Sequence, residues 1–288
     1  MEYLLHILIY FAIYALLGIS LNLIAGYTGL LSITHASFFG IGAYAVAILT
    51  TQFGLGFFGA ALIGMVLAGI GGLIIGWVLS RLSGDYYMLG TVGFSYIIFA
   101  IMMNWSSLTR GPLGIPAIPR PSLFGLGLGD NLKLFLLLLF VLLVIYLLSR
   151  KLVASSFGRV LRAIREDENA LRVFGYETTN YKLAIFAIAA GMAAMAGAFL
   201  ATYITFVDPL SFTIMESVFI MSIVIFGGFA SLEGSLLGAF LLVLLPELLR
   251  FMGLPSEIAG HVRQGVYGLL LVLFMMYWPK GLMGKYKV

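Results

Sequence analysis

The sequence has no cysteine, three histidines, and only 10% Asp, Glu, Lys and Arg among its 288 residues. Without cysteine there is no disulfide, no thiolate metal site and no cysteine nucleophile. Charge at this level is well below the roughly 25% of soluble domains. Also missing are Gly-x-x-x-x-Gly-Lys-Ser/Thr, the phosphate loop of an ATPase, and the His-Glu-x-x-His and Gly-x-Ser-x-Gly signatures of two hydrolase classes. Gly281-Leu282-Met283-Gly284-Lys285 is glycine-rich, but its spacing fails and Tyr286 stands where a hydroxyl residue is needed. Neither a short tandem repeat nor a low-complexity tail is present, and no Lys or Arg precedes the first apolar stretch as a cleavable leader would require.

What the chain has in abundance is apolar residues, 62% of the total. They fall in blocks at 4–25, 36–52, 57–79, 85–104, 132–149, 182–206, 213–229, 234–251 and 262–278. A helix needs about 20 such positions to cross a bilayer. The expected fold is therefore all-α: one polytopic transmembrane helix bundle over 1–288, with about nine membrane segments (eight to ten). The second block follows Ala25-Gly26-Tyr27-Thr28-Gly29 and reads as either a full crossing or a broken, re-entrant segment.

Basic residues orient the bundle. Arg150, Lys151, Arg159, Arg162, Arg165, Arg172 and Lys182 crowd 150–182, which places that loop in the cytoplasm by the excess of Lys and Arg on inner loops. Counting crossings outward puts Arg81, Lys280, Lys285 and Lys287 inside, and the N-terminus and 105–131 outside. Arg110, Arg120, Arg250 and Arg263 are the exceptions. The net charge of +4 thus serves orientation, and nucleic acid is not an expected partner. Segment 105–131 holds Pro112, Pro116, Pro119 and Pro121, which break regular helix and make it an external loop of stiff turns.

Helices in lipid associate through small residues. Gly64, Ala68, Gly72 and Gly76 recur every four residues, as do Ala190, Ala194 and Ala198 beside Ala193, Gly197 and Ala201, two neighbouring stripes that place this helix in the interior. These stripes read first as packing surfaces, and second as walls of a path that opens. Polar groups at membrane depth are costly and point to function. On that ground Asn22, His35, Thr91, Ser95, Asn104, Thr202, Thr205 and Glu216 are candidate lining residues of a translocation path. His35 fits a structural cap or a gate, Glu233 a solvated turn, and no metal site is expected.

The most polar stretch runs from Ser155 to Gly175. Phe157, Val160, Leu161, Ile164, Leu171 and Phe174 lie at helical spacing, with Ser156 able to cap the start and Gly175 the end. A short amphipathic helix results, broken near Asp167. The acidic run Glu166-Asp167-Glu168 favours a protein partner over a purely anionic lipid surface.

The run Gly158-Arg159-Val160-Leu161-Arg162-Ala163-Ile164-Arg165-Glu166-Asp167-Glu168-Asn169-Ala170 resembles the cytoplasmic coupling loop of branched-chain amino-acid ABC transporter permeases, of the M type in particular. Gly26 to Ser32, His35 to Tyr44, Leu108 to Pro116 and Gly227 to Gly234 resemble the same family in the same order. Thr34 and Arg110 depart from it, standing where the family has Gly. The resemblance implies an importer in the cytoplasmic (inner) membrane of a prokaryote. It also implies a second homologous permease, two cytoplasmic ATPases and an external substrate-binding protein. This chain would bind no cofactor, ATP and Mg being held by the ATPases. Coupling to them would fall to Gly158, Arg159, Leu161, Arg162, Ala163, Ile164, Arg165, Glu166, Asp167, Glu168 and Asn169. Urea or short amides are alternative substrates. An ion-gradient-driven secondary transporter is the rival class, which would be expected to carry ionisable groups at mid-helix.

Overall fold

The computed structural model describes residues 2–250 apart from 83, 124, 125, 128 and 129, with scattered positions between 265 and 284. In chain order the helices are α1 (Glu2–Leu21), α2 (His35–Thr51), α3 (Phe57–Leu79), α4 (Asp85–Asn104), α5 (Ser106–Thr109), α6 (Asn131–Ala154), α7 (Ser156–Val173), α8 (Thr178–Ile204), α9 (Ile214–Gly227) and α10 (Leu232–Arg250). Five of them, α1, α3, α4, α6 and α8, are long and apolar enough to span a bilayer, and α2, α9 and α10 are shorter apolar helices. Eight of the nine apolar blocks are thus helical, and the ninth, 262–278, is described only at scattered positions.

α1 and α8 form the centre. Buried residues make up 72% of the membrane-length window of each, against 33% in α3, 22% in α4 and 28% in α6. Small side chains on α8 allow this. A methyl group on Gly42 of α2 would lie 2.0 Å from the Ala194 carbonyl oxygen, and one on Gly197 would lie 1.9 Å from that of Phe39. Backbones at such range leave no room for any side chain. The α3 stripe is looser: Gly64 faces Ala45, Gly72 faces Ala190 and the Phe186 carbonyl, Gly76 faces Leu183, and Ala68 is fully buried.

Two breaks in helical structure shape the bundle. α1 ends in a π-helical turn, Asn22–Gly26, followed by an irregular stretch that reaches α2 at His35. Beyond α8, Thr205 turns left-handed (φ 59°) and β4 (Phe206–Val207) pairs antiparallel with β1 (Ile115–Pro116). Asp208 then accepts a hydrogen bond from the Ser211 amide, starting a 3₁₀ turn, Pro209–Phe212. That turn dips into the bundle: Phe212 is buried, its ring 5.2 Å from that of Phe39. α9 starts from this dip, so its 14 residues need only cover about 21 Å of a hydrocarbon core of about 30 Å. A second two-stranded ribbon, β2 (Ser122–Leu123) with β3 (Leu126–Gly127), lies in the 105–131 segment.

The 150–182 segment is more ordered than a loop. α6 continues to Ala154 and α8 begins at Thr178, placing Lys182 in its second turn. The cap of α7 is Ser155 and not Ser156, its hydroxyl accepting from the Gly158 amide. Gly175 (φ 84°) closes the other end: its amide meets the Arg172 carbonyl and that of Tyr176 the Leu171 carbonyl. This is the Schellman arrangement, whose left-handed position glycine adopts without steric cost.

Candidate functional site

α7 is two pieces. Asp167 leaves helical geometry (φ −158°, ψ 99°) and its carboxylate caps the second piece, accepting from the Ala170 amide at 3.0 Å. The first piece lies on the bundle through Leu161, Ile164 and Gly158, all buried. Ala163 is partly buried beside them. Arg162 donates to the Val153 carbonyl at 3.2 Å, tying α7 to the end of α6. Arg165 donates to the Gly26 carbonyl and lies 5.4 Å over the Phe229 ring. One guanidinium thus bridges the turn after α1 and the turn between α9 and α10.

The second piece is anchored by Glu168. Its carboxylate accepts from Arg172 and Lys182, both at 2.7 Å, and from Thr178 at 2.9 Å. Burial pushes this carboxyl up, but the hydrogen bonds from Lys182 and Thr178 and the charges of Lys182 and Arg172 outweigh it, leaving it below the ordinary carboxylate value. Arg159, Glu166, Asp167 and Asn169 face solvent.

The break corrects one expectation. Phe174 was placed on the buried stripe by its spacing, yet it is 79% exposed, and Val173 beside it 86%. Rotation of the chain at Asp167 puts the second piece out of phase with the first, so Val173 and Phe174 leave the bundle while Leu171 stays partly buried. Sequence reasoning missed Val173 for the same reason. Val173 and Phe174 are thus two large apolar side chains held out from the bundle at the end of α7.

Among the described residues the membrane-embedded candidates make separate sets of contacts. Asn22 is enclosed and saturated: it donates to Ser231 O (2.8 Å), Ser235 Oγ (2.7 Å) and Gly228 O (3.2 Å), and accepts from the Ala230 amide at 2.9 Å. It therefore fastens α1 to the α9–α10 turn. His35 is fully buried, its Nε2 3.1 Å from Ser20 Oγ. The Ser20 hydroxyl also lies 2.9 Å from Leu17 O, and His35 Nδ1 has no hydrogen-bond partner among the described residues. Thr91 accepts from the Ile33 amide at 3.1 Å, and Ser95 donates to the Ile33 carbonyl at 2.7 Å, so the two hold the stretch before α2 against α4. Thr202 and Asn104 bond back to their own helices, and Thr205 to the neighbouring Ile204 carbonyl. Glu216 stands apart, meeting Tyr14 of α1. Among the described residues no three His, Asp or Glu side chains are grouped as metal ligands.

A family model described as the branched-chain amino acid transport system / permease component matches residues 3–276. The chain is 36% identical to the high-affinity branched-chain amino acid transport system permease protein LivM of Escherichia coli (strain K12), over 94% of this chain and 68% of that protein. It is 26% identical to a probable branched-chain amino acid transport permease protein LivM of Methanocaldococcus jannaschii, over 96% of this chain and 92% of that one. The autoinducer 2 import system permease protein LsrC of Yersinia pestis is 27% identical over 72% of this chain and 59% of its own length. No solved structure matches. Apolar spanning helices, a polar helix docked on their ends and a match along nearly the full length agree, and the chain is a multi-pass membrane transport permease that belongs to the branched-chain amino acid permease family.

Proposed function

We propose that this chain is the membrane-spanning subunit of an ATP-driven importer of branched-chain amino acids, and that α7 is the part on which its ATPases act. The complex would comprise a second homologous permease, two ATPases holding ATP and Mg, and an external binding protein, in the cytoplasmic membrane of a prokaryote. The α7 end of the bundle is then the cytoplasmic one, as its basic residues require. The observation that carries the coupling role is the division of labour along α7. Its first piece is bonded to the ends of α1 and α6 and to the α9–α10 turn, while its second piece holds Val173 and Phe174 into solvent.

A partner that grips Val173 and Phe174 pulls on the second piece of α7. Glu168 transmits the pull to α8 through Lys182 and Thr178, and Arg165 transmits it to α1 and to the α9–α10 turn. Interfaces draw most of their affinity from a few buried apolar and aromatic anchors, so Phe174→Asp should weaken ATPase capture strongly. Cells producing this variant are expected to take up labelled leucine at least tenfold more slowly, with the permease present in the membrane at normal level. Unchanged uptake and unchanged co-purification of the ATPases would remove α7 from the coupling role.

A further inference from the structure

A second polar group at membrane depth is built quite differently from Asn22. On α1, His6, Tyr10 and Tyr14 are spaced four apart and share one face. Their rings form a ladder, with centroids 4.8 Å apart from His6 to Tyr10 and 6.3 Å from Tyr10 to Tyr14. Tyr203 of α8 closes one side, 5.9 Å from Tyr10, with its hydroxyl 2.6 Å from His6 Nδ1. Phe219 of α9 closes the lower end, 5.0 Å from Tyr14. The ladder ends on a carboxylate, since Tyr14 donates to Glu216 Oε1 at 2.7 Å.

Tyr14 is twelve residues beyond Glu2, which is about 18 Å along the helix and more than half of a hydrocarbon core of about 30 Å. Among the described residues Tyr14 is the only side chain hydrogen-bonded to Glu216, and no Lys or Arg makes an ion pair with it. His6 is exposed, and Tyr10, Tyr14, Tyr203, Phe219 and Glu216 are partly buried. A carboxyl group at this depth is costly against lipid and belongs on a wet or partnered face. Aromatic faces within about 6 Å attract cations, and the Glu216 carboxyl at the end offers oxygens to an ammonium group.

We infer that this strip is a station in the transport path that binds the primary ammonium group of a small zwitterion, with the rings guiding it and Glu216 receiving it. The inference rests on the amino-acid reading above and adds the site. Tyr14 is a positioning residue that aims the carboxylate. A station of this kind holds its ligand by one charge and several weak faces, which suits a group that must also leave.

The absence of cysteine makes the test direct. Tyr10→Cys introduces a single thiol on the ladder of the complete transporter in intact cells, and two methanethiosulfonate reagents of similar size, one a quaternary ammonium and one a sulfonate, are applied from outside. The cationic reagent is expected to react about tenfold faster, the preference to fall to near parity when Glu216→Gln is added, and leucine with its binding protein to slow the reaction. Glu216→Asp, which keeps the charge, should keep the preference and serves where the Gln variant fails to reach the membrane. Labelling blind to reagent charge, a preference indifferent to Glu216→Gln, or no labelling by either reagent overturns the station. A wild-type transporter that accumulates no branched-chain amino acid would instead overturn the substrate reading.

Discussion

At the scale of single residues, the polar groups inside this bundle divide by how completely they are satisfied. Asn22 spends its amide on three backbone groups and a hydroxyl. Removing a buried partner of this kind costs about 1–3 kcal/mol for each group left without one. Asn22→Ala should therefore lower stability by at least about 2–3 kcal/mol in reversible detergent unfolding. Thr202→Val should stay within about 0.5 kcal/mol, because its hydroxyl only bonds back to carbonyls of its own helix. Glu168 gives a pH signature. Its folded-state carboxyl is held below the ordinary value of 4.5, so its stabilising effect is complete above that value and is lost as pH falls through the lowered one. Proteolysis in the exposed Gly175 to Glu177 turn should rise as pH drops below about 4.5 in the wild type, and Glu168→Gln should abolish that pH dependence.

At the scale of elements, the governing quantity is how close two backbones lie. Leu73 points out of the bundle, 43% exposed, whereas Gly72 meets α8. Gly72→Leu should reduce the yield of folded protein severalfold in size-exclusion chromatography, with Leu73→Ala near wild type, and Gly42→Leu should be worse than Gly72→Leu. The order follows from distance: the added carbon would lie 2.0 Å from the nearest atom at Gly42, inside any repulsive wall, and 3.0 Å at Gly72, where Ala190 can give a little. The spacing of the α3 stripe was legible in the sequence. The stripe with Gly197 on α8 was legible too, but not its partner, because Gly42 on α2 belongs to no such stripe and only the fold sets it against Ala194. α7 makes the same point for helical phase. Its stripe to Ile164 was readable from the 3.6 repeat, while Phe174 was misplaced because a break at Asp167 resets the phase and leaves the spacing unchanged.

At the scale of the whole molecule, α7 acts as a strap across helix ends distant in sequence. Arg165 joins Gly26 to Phe229, and Gly29 (φ 76°) lies against the Arg165 stem. This gives Arg162 and Arg165 a meaning that charge alone did not. They turn toward the permease, so their loss would slacken the strap and not strip away a partner contact. Arg165→Ala should leave the chain folded and the ATPases bound, yet separate ATP hydrolysis from uptake, seen as hydrolysis in proteoliposomes that no longer responds to the loaded binding protein. Hydrolysis and uptake that remain coupled would limit Arg165 to a stabilising role.

Composition and the length of the apolar runs determined by themselves that this chain lives in a membrane as helices, since water cannot accept that much apolar surface and lipid cannot accept unpaired backbone. Motif order along the chain was enough to indicate its family. Only the tertiary structure decided which polar residues are saturated fasteners and which remain open. Whether an amide or carboxylate is satisfied depends on partners such as Ser231 for Asn22 and Tyr14 for Glu216. Each of these pairs is separated by some two hundred residues, and no local pattern records such a meeting.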